Sequence, residues 1–375
     1  MALRSLNVSE RNFLSRIDIR LILLVLCLNV IGLFNLYSAT HGPHSKDVEA
    51  LFVQQIVWLL GGWTIFFIMT FLDYIWVNKI IFVVYLLNVA ALVYTDFAGK
   101  VVLGGQRWID LHFFRYQPSE TMKLCLILLL ARILIHRNPQ GRGMGIRELI
   151  LPALAILVPF ALTVKQPDLG TAMMLMFIGG TLLYFVKIRK AIIIAISALV
   201  LIAIPIAWKY GLKDYQRNRV FTFLSPDQDP QGTGYNSIQS RIAVGSGKFF
   251  GKGFRMGTQS QLEFLPERHT DFIYSVLSEE WGFVGSIIVL MTFAFLFKVC
   301  FEISLQARDK YGALIAIGVA AYIFWHMFVN IGMVIGLLPI VGVPLPLLSY
   351  GGSGMLTTMA GLGLVSSIAY RRYLF

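Results

Sequence analysis

Apolar residues along this chain gather in long blocks separated by short polar and basic stretches. A bilayer-crossing helix needs roughly 20 apolar residues. Blocks near that length fall at 19–39, 52–72, 76–96, 119–137, 148–164, 170–187, 190–209, 279–301, 312–336 and 352–370. The pattern predicts an all-α polytopic membrane protein of about ten transmembrane helices, forming a single membrane domain over 1–375.

Composition supports the same class. The 375 residues are 57% hydrophobic and 14% charged, too apolar for a soluble chain to bury. The net charge of +12 does not point to nucleic acid, because the basic residues punctuate apolar segments instead of forming one face or tail. Arg132, Arg137, Arg142 and Arg147 lie between the fourth and fifth blocks, and Lys187, Arg189 and Lys190 between the sixth and seventh. Arg308 and Lys310 lie between the eighth and ninth, and Arg371 and Arg372 at the end. With both termini cytoplasmic, all of these fall on the cytoplasmic side, as the positive-inside rule expects. The arginine-bearing start leads into a full-length span with no small-residue cleavage site, so no cleavable signal peptide is expected. Cys27, Cys125 and Cys300 sit apart in apolar blocks, which argues against disulfides and zinc. His41, His44, His112, His136 and His326 show no ligand spacing.

Three segments fall on the opposite side. The first, 97–118, carries Arg107 and Trp108; Trp108 reads first as an interfacial aromatic. The second, 165–170, places Asp168 where it would cap the sixth helix. The third is one long extracytoplasmic loop over 210–278, bearing Arg217, Lys248, Lys252 and Arg268. Its glycine run, Gly245–Gly253, suits either a flexible loop or a cradle for phosphate oxygens, and it lacks the Walker spacing.

Glu120 and Lys123 share one face at the start of the fourth helix, after the candidate cap Ser119. Mutual neutralisation in an apolar span and a site-tuning role are both open to them. Pro339, Pro344 and Pro346 cannot continue a helix, and irregular backbone at membrane depth must be buried or line a water-filled cavity. The densest ionisable cluster is Glu267, Arg268, His269 and Asp271, at the mouth of an apolar block. Ionisable groups so near a bilayer mark function, and Asp271 is the leading catalytic candidate. His269 is suited to be a base or a hydrogen-bond partner.

The combination of Arg107-Trp108-Ile109, Gln117-Pro118-Ser119-Glu120, Gln166-Pro167-Asp168-Leu169-Gly170-Thr171, Gln239-Ser240 with Gly245-Ser246-Gly247, and Pro266-Glu267-Arg268-His269-Thr270-Asp271-Phe272 resembles the SEDS family (shape, elongation, division, sporulation) over nearly the whole chain. The short N-terminus, the absence of a C-terminal tail and Gln259–Phe264 resemble its elongation-type members. Lys248 stands where a second glycine is common in that family. The resemblance implies a peptidoglycan glycosyltransferase that polymerises lipid II at the outer face of the bacterial cytoplasmic membrane. It implies an essential Asp271, sensitive Trp108, Glu120 and Lys123, and a class B penicillin-binding protein as transpeptidase partner within an elongation complex.

In that chemistry Asp271 takes the proton of the attacking sugar hydroxyl. Substrate-binding candidates are Arg217, Lys248, Lys252, Arg268, His269 and Asp168. Basic side chains or a divalent cation, Mg²⁺ or Mn²⁺, would stabilise the departing pyrophosphate; no organic cofactor is required. A lipid II flippase, a division-type polymerase of the same family and a non-catalytic scaffold are the competing readings.

Overall fold

The computed structural model describes residues 17–41, 49–102, 105–111, 114–137, 143–211, 214–225, 234–262 and 264–372. Ten long helices occupy the ten apolar blocks: α1 (Ile19–Thr40), α2 (Glu49–Phe71), α3 (Tyr74–Ala98), α4 (Pro118–Arg137), α5 (Ile146–Lys165), α6 (Leu169–Phe185), α7 (Lys190–Ile206), α11 (Ile273–Leu305), α12 (Lys310–Val334) and α13 (Gly352–Arg371). Seven of them are long and apolar enough to cross a membrane by length and composition. The other three are α6 and α7, each 17 residues long, and α4, which carries Glu120, Lys123 and Arg132 within its length.

Aspartates set several helix starts. Asp73, Asp168 and Asp309 accept hydrogen bonds from the backbone amides of Ile75, Thr171 and Gly312 at 2.9, 3.1 and 2.8 Å. Each satisfies one of the four amides that a helix N-terminus leaves without an internal partner.

α12 and α13 are the inner helices, with 67% and 83% of their most apolar stretches buried, while α2 and α3 lie outside at 22% and 28%. The large apolar side chains left outward, such as Leu60, Leu87 and Ile194, would be unfavourable in water and suit lipid tails. Helices pack closely where glycine permits. At Gly363 of α13, a Cβ would fall 2.5 Å from the carbonyl oxygen of Phe66 on α2.

The segment expected as a loop over 210–278 carries three helices where it is described: α8 (Asp214–Leu224), α9 (Tyr235–Ser246) and the short α10 (Thr258–Gln261). Residues 226–233 of that segment, with Lys213, fall outside the described residues, as do His44, Gly104, His112 and Arg142. α9 lies on α11 and α12, with Ser237, Ser240 and Ala243 buried. A second departure from the all-helical expectation is a three-stranded antiparallel sheet, β1 (Lys100–Val102), β2 (Gly105–Asp110) and β3 (Arg115–Tyr116). It folds residues of the 97–118 segment back over the helix ends.

α11 begins at Ile273, six residues before the apolar block expected at 279, and kinks at Gly282 (φ 62°). Glu279 and Glu280 therefore lie inside a helix, buried. Glu279 is satisfied there, accepting from Lys252 Nζ at 2.6 Å and from the Gln259 amide at 3.0 Å, whereas Glu280 accepts from the Ser38 hydroxyl through Oε1 and leaves Oε2 buried without a partner among the described residues. The glycine run wraps this kink. A Cβ at Gly251 (φ 81°) would fall 2.1 Å from the Glu280 carbonyl oxygen, and one at Gly282 would fall 2.3 Å from the Gly251 amide. Close backbone approach accounts for glycine there.

Candidate active site

The segment after α12, residues 335–351, is irregular, as its three prolines require. Its backbone is tied to the 267–272 turn. Asn330 Nδ2 donates to the carbonyls of Asp271 and Val343 at 2.8 and 2.7 Å. The Ser349 hydroxyl donates to the Thr270 carbonyl at 2.7 Å, and the Tyr350 amide donates to the His269 carbonyl at 2.9 Å. Leu265 and Phe272, both buried, anchor the turn on either side. Asp271 is thereby held by backbone bonds on a fixed turn instead of swinging on a loop.

Asp271 faces a polar cavity of about 260 Å³. Around it stand Arg107 and Trp108 from β2, Gln117 and Glu120 at the start of α4, and Asp168 and Thr171 at the start of α6. Glu267 and Thr270 flank Asp271, and Tyr322 and His326 of α12 form the base. Gly342 (φ 71°) completes the wall, and a Cβ there would lie 3.3 Å from Asp271 Oδ2.

Burial first, and then the negative charges of Glu267 and Asp168, push the Asp271 carboxyl up from 3.8 to about 6. Arg219 and a hydrogen bond from Thr270 oppose this only in part. Burial holds the His269 imidazole below its ordinary value, against the pull of Glu267 3.7 Å away. A carboxylate with proton affinity moved toward neutrality is matched to accepting a proton at working pH.

Beneath the cavity lies a buried polar chain. Lys123 Nζ donates to Glu120 Oε1 at 2.6 Å and meets His326 Nε2 at 2.8 Å. A lysine ammonium only donates, so Nε2 accepts and Nδ1 carries the ring proton, which it gives to the Tyr322 carbonyl at 2.9 Å. The Tyr322 hydroxyl pairs with Thr358 of α13 at 2.9 Å. The Lys123 side chain is 1% exposed, so its charge depends entirely on these partners.

Of the residues singled out in the sequence, Asp271, Glu120, Trp108 and Asp168 line one cavity and Lys123 supports it from below. Asp168 is at once helix cap and cavity wall, taking the Thr171 hydroxyl at 3.0 Å and standing 3.7 Å from Arg107. His269 turns beside Glu267 rather than into the lining.

The four basic candidates do not line the cavity. Arg268 is buried and donates to the Ala39 carbonyl at 2.9 Å, toward α1. Arg217 donates to the carbonyls of Trp208 and Lys209. Lys248 is exposed at the glycine run, and Lys252 is bound to Glu279. The cavity's cation is Arg107, which donates to the Gln166 carbonyl at 3.1 Å and to the Pro167 carbonyl. Arg107, Gln117, Tyr322 and His326 line the cavity but were not singled out as site residues in the sequence, although Arg107 and Gln117 stand in the motifs that carry the family resemblance. A histidine and a tyrosine one turn apart in an otherwise apolar helix were the available signal.

Among the described residues no group of three His, Cys, Asp or Glu side chains gathers to hold a metal, so no step below is routed through a cation.

The fold and the site define a helical membrane protein with a carboxylate-bearing polar cavity at one end of the bundle. The model of the cell cycle protein family FtsW/RodA/SpoVE matches residues 19–374, and the chain belongs to that family. It is 45% identical over 291 residues to the peptidoglycan glycosyltransferase MrdB of Escherichia coli K12, covering 77% of each chain. It is 32% identical to the peptidoglycan glycosyltransferase RodA of Treponema pallidum, covering 96% of this chain and 98% of that one. Among solved structures it resembles a chain from a study of the structural coordination of polymerization and crosslinking by a peptidoglycan synthase complex, at TM-score 0.81 and 32% identity, covering 96% and 99%. It also resembles the rod shape determining protein RodA of Thermus thermophilus, at TM-score 0.71 and 28% identity, covering 96% and 98%.

Proposed function

We propose that this protein is a peptidoglycan glycosyltransferase that polymerises lipid II into glycan strands, with Asp271 as the general base. The observation that carries the mechanism is the placement of Asp271: a carboxyl raised to about 6, fixed by backbone bonds on the wall of a polar cavity. The relatives named as peptidoglycan glycosyltransferases support the activity.

Asp271 accepts the proton of the acceptor sugar hydroxyl as its oxygen bonds to the donor anomeric carbon. The bond from that carbon to the pyrophosphate oxygen breaks, and its electron pair leaves with the lipid pyrophosphate. Pyrophosphate is a competent leaving group, so no acid catalyst is required. Arg107, held across the cavity, is the cation available to the developing negative charge. Glu120, Lys123 and His326 hold the floor against which the substrate is oriented.

The cavity opens on the extracytoplasmic face in this reading. Support comes from α4, whose N-terminus lies in the cavity while Arg132 and Arg137 sit toward its other end, and from Arg147, Lys187 and Arg189 in the neighbouring turns. A class B penicillin-binding protein is the partner, a reading supported by the likeness to a chain of a synthase complex that couples polymerisation to crosslinking.

The test is the purified protein, with a partner that lacks a polymerase domain, supplied with lipid II in detergent. New glycan chains are expected. Lipid translocation in vesicles without any glycan synthesis in detergent would overturn the enzyme in favour of a flippase.

A further inference from the structure

Far from the catalytic cavity, α3, α4 and α5 leave a groove of about 410 Å³ between them. Its walls are apolar: Leu86 and Val89 of α3, Leu129 and Ile133 of α4, Leu154 and Val158 of α5. Its rim is basic, formed by Arg132, His136 and Arg137 in the last turns of α4. Arg137 lies about 25 Å along α4 from Glu120, at 1.5 Å of rise per residue. The groove therefore opens toward the membrane face opposite the cavity.

The rim side chains differ in their ties. Arg132 is anchored, donating to the carbonyls of Asn78 and Lys79. His136 and Arg137 are exposed, and Arg137 forms no ion pair among the described residues. Lys79 of α3 and Arg147 of α5 are exposed in the same region of their helices. The acid nearest in sequence, Glu148, does not line the groove; its carboxylate stands over Gly145 on the side of Arg189.

We propose that this groove is a binding site for an anionic glycerophospholipid, one acyl chain lying along the apolar walls and the phosphate held by Arg137 and His136. The argument is complementarity at both ends. The walls offer no polar partner over most of their area, which suits an alkyl chain and rejects a soluble anion. The rim offers cationic and N–H donors at headgroup depth, which suit a phosphate with net negative charge and repel the ammonium of a zwitterionic headgroup. Basic pockets between membrane helices take anionic headgroups on the same physical grounds.

The test uses the full-length protein in detergent, titrated with phosphatidylglycerol or with phosphatidylcholine of identical chains, with bound lipid counted by native mass spectrometry. Phosphatidylglycerol is expected to bind tighter. Arg137→Gln is expected to weaken it about fivefold, the factor one basic side chain contributes at an anionic surface, and to leave phosphatidylcholine unchanged. Leu154→Trp, which fills the groove and keeps every charge, is expected to weaken phosphatidylglycerol at least as much. Leu154 already faces outward, so this variant keeps the test valid should Arg137→Gln fail to fold. Equal retention of the two lipids would overturn the site. Retention unaffected by Leu154→Trp would reduce it to surface charge attraction, and competition by soluble glycerol phosphate at lipid-like concentrations would reduce it to an anion site; either result contradicts the proposal.

Discussion

The Glu120–Lys123 pair makes a prediction with an internal control. Lys123→Met keeps the side-chain length and removes the charge, leaving the Glu120 carboxylate without its ammonium. Stripping one partner from a buried pair costs ~3–5 kcal/mol. Glu120 lines the cavity, where water softens the loss, so the lower end applies. His326 also loses its donor at Nε2, a further ~1 kcal/mol. Glu120→Gln leaves the ammonium on a 1%-exposed side chain with only an amide oxygen and His326 to accept from it. That loss is expected at ~2–3 kcal/mol, because the amide retains part of the hydrogen bond. The double variant, a neutral pair of similar shape, is expected to recover at least ~2 kcal/mol over the sum of the single losses, since contacting residues couple by that order. Melting temperatures in one detergent read the cycle, and glycan synthesis reads the site. Single losses that add in the double variant to within ~0.5 kcal/mol would refute the coupled charge pair.

Three further outcomes follow from named residues. A base must be ionised to act, so the acid limb of polymerisation should have its midpoint at about 6, with activity falling as pH drops through that value; a midpoint near 4 in a pH–rate profile would remove the buried-carboxylate argument. Because folding raises the Asp271 value, its contribution to stability is present below 3.8 and lost as pH rises through about 6. At neutral pH, Asp271→Asn should therefore melt higher than wild type, by at most ~3 kcal/mol from the gap between 3.8 and about 6 and less after screening by cavity water. A lower melting temperature would show that the carboxylate holds the fold together. Gly251→Ala places a methyl at φ 81° within 2.1 Å of the Glu280 carbonyl oxygen, so a loss above ~1 kcal/mol is expected in a thermal melt; a neutral result would return the glycine run to the phosphate-cradle reading.

The ten helices were legible because membrane helices write themselves as long apolar blocks, which need no partner to be recognised. Asp271 and Glu120 were legible because ionisable groups stand out against so apolar a chain, whereas Trp108 read from the residues as an interfacial aromatic and Asp168 as a helix cap, and the family resemblance marked Trp108 as sensitive. What escaped depends on contacts between distant segments. Residues 267–272 and 342–350 meet through Asn330 and Ser349, and neither segment announces the other in sequence. The basic residues of the long loop looked like ligands, yet Arg268 and Lys252 serve Ala39 and Glu279. Charge count alone does not reveal whether an arginine already has a carbonyl to bind. Arg107 was hidden by its neighbour, since Trp108 explained the segment as an interfacial aromatic while the sheet that turns both residues over the cavity left no apolar period to follow. The early start of α11 was masked by Glu279 and Glu280, whose partners lie in α10, α1 and the glycine run.

The central claim is that one carboxylate removes the acceptor's proton in the cavity. Its most direct test is glycan synthesis from lipid II by purified Asp271→Asn with partner, beside wild type. The account predicts a folded, partner-bound variant with activity down by ~10²–10⁴ or more, the range for losing a general base. Polymerisation at wild-type rate by that variant would contradict it.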